Sequence, residues 1–237
     1  MTIDPVLAHR LRVHAFGHDH LADEHRDPGD ITQIHTAGDV LAGAYDGDVT
    51  VADLRPLGHF GIGTLEGLDG ELIVVDGEFW DVGADGVARL ADDAARVPFA
   101  VLCDLVDVAT LDVPGPLDRA GFEALVGDHL PDPDGCYAVR VHGRFAPVHV
   151  RSVARQRPPY RPLAEVLVTD QRDFTLPEVV GTMVGFRFPA DAGDLEFAGF
   201  HLHLLADDRT TGGHVGEAVL HDARITLAHP HAVHVEL

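Results

Sequence analysis

The chain has 237 residues, 46% of them hydrophobic, enough to bury a sizeable core in one large domain or in two small ones sharing an apolar layer. Its formal net charge is −22, and all 17 basic residues are arginines. That balance repels nucleic acid and anionic membranes, and a chain with no lysine excludes Schiff-base catalysis, pyridoxal-phosphate chemistry included. Any carbanion formed here needs another electron sink, and a metal ion is the obvious one.

Residues 1–30 read as a polar, His- and Asp-rich lead segment. They hold no basic start followed by an apolar run and a small-residue cleavage site, and no apolar stretch of the chain approaches the ~18 residues of a membrane span. A soluble, cytoplasmic protein is the expectation. Short helical turns are expected at residues 40–45 and 51–56. Residues 71–75 and 78–81 around Asp76-Gly77 predict a two-residue β-hairpin, and Asp85-Gly86 extends it to a meander. Residues 99–108 predict a buried strand.

Leu117, Phe122, Leu125 and Val126 have helical spacing, with Asp118 placed for the first turn and residues 131–135 as the break. Residues 137–141 and 145–153 predict a hairpin around His142-Gly143-Arg144, and residues 155–162 a proline-rich extended segment. Strands are expected at 165–169, 179–188, 200–205, 214–220 and 225–229. The fold class is therefore α+β and β-dominated, as two packed sheets or a sheet plus a barrel-like β domain, with the metal site on the C-terminal strands. The expected organisation is a lead segment (1–30), an N-terminal α+β domain (31–153) and a C-terminal β domain (154–237). Cys103 and Cys136 are too few for a disulfide framework and predict reduced core residues.

Among 17 histidines, His201-Leu202-His203 stands out. Residues i and i+2 of a strand share one face. After the turn at residues 207–213, His214 opens the next strand and comes back beside the pair. Three imidazoles on one face leave coordination positions open to substrate, the catalytic rather than the closed arrangement. His18-Asp19-His20 and His229-Pro230-His231 have the same spacing in polar settings and are read as solvated.

Residues 199–215 (GFHLHLLADDRTTGGHV) closely resemble the metal-binding stretch of the alpha-acetolactate decarboxylases. Residues 43–48 (GAYDGD), 61–72 (GIGTLEGLDGEL), 158–163 (PPYRPL) and 180–187 (VGTMVGFR) resemble the family in the same order, over roughly residues 31 to 230. The resemblance implies conversion of 2-acetolactate to acetoin and CO2, Zn2+ or another divalent transition metal on His201, His203 and His214, and a homodimer. It also implies an active-site glutamate at Glu71, a neighbouring threonine at Thr64 and an active-site arginine at Arg151. The family carries a further glutamate on a C-terminal tail; Glu236 is not matched to it.

A metal chelating the hydroxyl and ketone oxygens of such a substrate would stabilise the enediolate left by loss of CO2. Arg151 lies among six arginines between Arg140 and Arg161, where a guanidinium can clamp a carboxylate. Arg155, Arg157 and Arg161 are read as surface ion-pair partners. Two rival readings stay open. A cupin-like dioxygenase or isomerase wants a glutamate three or four residues after the second histidine, where this chain has Asp207. A non-catalytic metal-binding β protein would need neither Glu71 nor Arg151.

Overall fold

The computed structural model describes residues 4–21 and 26–237. The sheet strands in chain order are β1 (Val13–Phe16), β2 (Ile31–Ile34), β3 (Val49–Thr50), β4 (Phe60–Thr64), β5 (Glu71–Val75), β6 (Glu78–Val82), β7 (Ala88–Leu90) and β8 (Arg96–Val97). They continue as β9 (Phe99–Cys103), β10 (Ala109–Val113), β11 (Tyr137–Val153), β12 (Gln171–Leu176), β13 (Val179–Phe188), β14 (Gly199–Ala206), β15 (Gly212–Ala228) and β16 (Val233–Glu236). The helices are α1 (Pro5–Arg10), α2 (Ala37–Ala42), α3 (Val51–Leu54), α4 (Arg119–Gly127) and α5 (Leu163–Asp170).

Two large sheets result. The first has eight strands in the order β1-β16-β2-β9-β4-β5-β6-β7; β3 and β8 form a small separate pair. The second has the order β10-β15-β14-β13-β11-β12, and an added β15–β11 pairing closes β14, β13, β11 and β15 into a ring. The expected β-dominated class, sheet plus barrel-like unit, is what forms. Neither sheet respects the expected division at residues 153 and 154. β16 lies inside the first sheet, and β10 and β11 belong to the second. The lead segment is not wholly ahead of the fold either, because β1 pairs in parallel with β16, Val13 opposite Val233.

Alternation along the strands sorts side chains into layers. On β5, Ile73 and Val75 enter the cluster between the sheets, while Leu72 and Val74 pack on the far side with Val51 and Leu54 of α3. β5 is thus buried on both faces, which is why it reads as a continuous apolar run. On β14, Leu205 joins the inter-sheet cluster, whereas Leu202 and Leu204 pack with Phe122 and Val126 of α4. By the same alternation, Glu71, His201 and His203 face the space between the sheets.

The hairpin at Asp76-Gly77 forms as expected, both residues in the left-handed region at φ 52° and 81°, and β7 completes the meander. α4 is capped by Asp118, whose carboxylate accepts from the Gly121 amide. Three expectations fail. Residues 137–153 form one bent strand rather than a hairpin, because Gly143 serves close packing: a Cβ there would lie 2.6 Å from Ala223 Cα, and the register against β15 shifts at this point. Residues 214–220 and 225–229 likewise merge into β15, with Asp222 at φ 46° absorbing the irregularity. Residues 165–169 lie in α5, whose Leu163 and Val166 pack into the inter-sheet cluster at helical spacing. Cys103 and Cys136 are buried free thiols.

Gly185 on β13 faces Leu202 of β14, and a Cβ there would collide with the His201 carbonyl oxygen. Gly185→Ala should therefore push β14 away from β13, costing about 1–3 kcal/mol, measurable as a lowered denaturant midpoint at unchanged m-value. An unchanged midpoint would show that this contact does not set the position of the histidine strand.

Candidate metal centre

His203 and His214 sit directly opposite one another across the β14–β15 pair, and His201 is two residues back on the same face. Their ring centroids form a near-equilateral triangle with sides of 5.0, 5.2 and 5.3 Å, and their ligand atoms approach within 4.8 Å of one another. His201 and His203 are 8% and 1% exposed. A polar partner holds each of those two rings at Nδ1. His203 Nδ1 donates to the Leu72 carbonyl at 3.0 Å, and His201 Nδ1 faces Glu196 Oε1 at 3.3 Å. Both Nε2 atoms are thereby free to carry lone pairs.

Burial, followed by repulsion from Arg151, pushes His201 down to about 3. Burial likewise holds His203 and His214 well below the ordinary imidazole range. Three neutral imidazoles with converging lone pairs cannot satisfy each other. His203 Nε2 is buried with no hydrogen-bond partner, 3.3 Å from Glu71 Oε2. An orphaned acceptor beside a carboxyl oxygen is where a cation belongs, and three imidazoles suit zinc and neighbouring transition ions. The residues fit a metal.

Glu71 opens β5 after a turn through Gly67, Leu68 and Gly70, all at positive φ. Thr64 at the end of β4 braces that turn, its hydroxyl donating to the Gly70 carbonyl at 2.8 Å. In the metal-free protein burial raises Glu71 to about 8, with Arg151 opposing and Asp81 reinforcing the rise. Arg151, opposite His214 across β11 and β15, places Nη2 3.3 Å from His214 Nε2 and donates through Nη1 to Gln171 Oε1 at 2.9 Å. All six expected site residues line one cavity of about 290 Å3. Val40, Leu163 and Phe197 supply apolar wall to it.

Two contributors escaped the sequence reading. Glu196 is 1% exposed and raised to about 8 by burial. It lies five residues before His201 with no strand period linking the two, so nothing local marks it. Gln171 meets Arg151 only because β12 pairs with β11. Asp207, which a cupin-like site would need as a ligand, is half-exposed and lies 3.1 Å from His142 Nε2 instead. Arg155 and Arg161 pair with surface carboxylates, as read.

Residues 31–237 match the family model described as alpha-acetolactate decarboxylase. The chain belongs to the alpha-acetolactate decarboxylase family. A relative of that name from Methylococcus capsulatus is 36% identical over 227 residues, covering 96% of this chain and 87% of the relative. Another from Bacillus subtilis is 38% identical over 198 residues, covering 84% and 77%. The crystal structure of alpha-acetolactate decarboxylase from Bacillus subtilis strain 168 superposes with a TM-score of 0.85 at 36% identity, covering 88% of each chain.

In the metal-free protein the three imidazoles should stay neutral from pH 8 to pH 5, read by 15N histidine spectra. Unfolded histidine takes a proton near pH 6.5. The stability these rings contribute is therefore complete above that pH and falls as pH drops toward about 3, the His201 value. A transition near pH 6.5 in any of the three would contradict the neutral triad.

Proposed function

We propose that this chain decarboxylates 2-acetolactate to acetoin and CO2, using a zinc ion on His201, His203 and His214. The observation that carries the reading is three histidines with ligand atoms within 4.8 Å of one another, lining one cavity with the Glu71 carboxyl and the Arg151 guanidinium, in a chain of this family. When bound, the ion would supply Lewis acidity toward the neighbouring hydroxyl and ketone oxygens of the substrate. The protein's own groups do the rest. The half-buried Arg151 guanidinium receives the substrate carboxylate and then stabilises charge on the enediolate. When the carbon–carboxylate bond breaks, its electron pair forms the double bond to the former ketone carbon, whose oxygen takes the negative charge. Glu71, whose hold on a proton burial strengthens, returns a proton to the carbon that lost CO2. Thr64 holds the turn that aims Glu71, and Glu196 orients His201. The apolar wall keeps bulk water from the enediolate.

The strongly negative chain agrees with a small-molecule partner rather than nucleic acid. No helix among the described residues is long and apolar enough to cross a membrane. We read the enzyme as a cytoplasmic homodimer, the homodimer on the family's pattern.

Purified protein given racemic 2-acetolactate should form acetoin, and a chelator should abolish it until zinc is restored. Arg151→Ala should retain its metal while kcat falls roughly 100- to 1,000-fold, the usual loss for a group that stabilises transition-state charge. Chelator-resistant acetoin formation would overturn the metal's role, and full activity in R151A would overturn the arginine's.

A further inference from the structure

A second cluster of metal-binding side chains lies in the first sheet, and none of its members lines the histidine cavity. β1, β16 and β2 are adjacent parallel strands in register, Phe16 beside Glu236 and Glu236 beside Ile34. Their C-terminal ends therefore come together at one edge of the sheet. His18 follows the first strand, Glu236 ends the second and His35 follows the third, while Asp48 arrives just before β3.

Glu236 is 1% exposed, and its Oε2 has no hydrogen-bond partner. Its Oε1 is 3.4 Å from His18 Nδ1, and its Oε2 is 3.5 Å from His35 Nε2. Asp48 Oδ1 is 3.7 Å from the same His35 Nε2. These separations are long for hydrogen bonds. The two to Glu236 match the edge of a ligand tetrahedron, about 3.3–3.6 Å when each ligand stands 2.0–2.2 Å from a central ion, and the third is slightly longer. His35 Nδ1 lies 3.0 Å from the Pro98 carbonyl, which can only accept, so Nδ1 carries the hydrogen. The other ring nitrogen, Nε2, is the one that faces both carboxylates. Glu236 Oε2 is buried and unpartnered among these groups, and a cation held by the neighbouring carboxylates and imidazole would satisfy it. His35 also holds the left-handed backbone, at φ 51°, a conformation a non-glycine residue adopts where its surroundings impose it.

We infer that His18, Asp48 and Glu236 form a second binding site for a divalent first-row transition ion, with His35 beside it. One imidazole and two carboxylates are a donor set such ions accept. The site pins the segment after β1 and the end of β16 to the rest of the first sheet. It is independent of the reaction proposed above.

The test is zinc content per chain by plasma mass spectrometry, after dialysis of full-length protein against buffered micromolar free Zn2+. Wild type should hold one equivalent more than His18→Ala/Asp48→Asn, a variant of half-exposed residues expected to fold. It should also hold one more than Glu236→Gln. His229→Ala/His231→Ala, which removes an exposed pair, controls for loose binding to a histidine-rich surface and should lose none. The thermal midpoint of wild type should rise with the additional equivalent, and that of H18A/D48N should not. Equal zinc in wild type and H18A/D48N would overturn the site. Loss of metal in a His201→Ala/His203→Ala variant reports on the other site alone, so the two assignments fail separately.

Discussion

The 3.0 Å hydrogen bond from His203 Nδ1 to the Leu72 carbonyl is the interaction on which the centre depends. It joins β14 of one sheet to β5 of the other, and Leu72 is the residue next to Glu71. One contact therefore fixes the tautomer of His203 and the spacing between the histidine face and the glutamate. It works because both strands are buried. In a dry inter-sheet layer the bond is not diluted by water, and the neighbouring alternation of Ile73, Val75 and Leu205 keeps both strands in register around it. A slip of either strand by one residue would turn its site residues away from the other sheet.

Burial also sets the charge states. The same desolvation that keeps the histidines neutral, and so able to donate lone pairs, strengthens the hold of Glu71 on a proton. A site of neutral ligands with one guanidinium stands inside a chain of formal net charge −22. It is suited to attract a carboxylate substrate and ill suited to hold carbon dioxide, which is neutral. Glu196 adds a second buried carboxyl behind His201, where it meets the ring nitrogen on the side away from the lone pair that converges with His203 and His214.

The histidine triad was legible because it is local: strand alternation aligns His201 with His203, and a Gly-Gly turn returns His214 to face them. The Asp76-Gly77 hairpin was legible for the same reason, since two residues in the left-handed region specify a turn wherever they occur. Glu71 and Arg151 stood out through collinear motifs rather than through their own surroundings, because their partners are distant strands. What stayed hidden was long-range. Gly143 resembles a turn residue, yet it is a close-packing site inside a 17-residue strand, and only the opposing Ala223 shows which. The β-branched stretch at residues 165–169 became a helix because tertiary packing of Leu163 and Val166 outweighs β propensity. His18 looked like one half of a solvated pair. Its approach to Glu236 exists only because the end of the chain inserts between β1 and β2.

The most direct test of the central claim is anomalous diffraction at the zinc edge from crystals of the zinc-loaded protein. A peak among the Nε2 atoms of His201 and His203 and a ring nitrogen of His214, within bonding distance of all three rings, is the predicted result. A zinc-loaded crystal with no anomalous peak between those rings would contradict it.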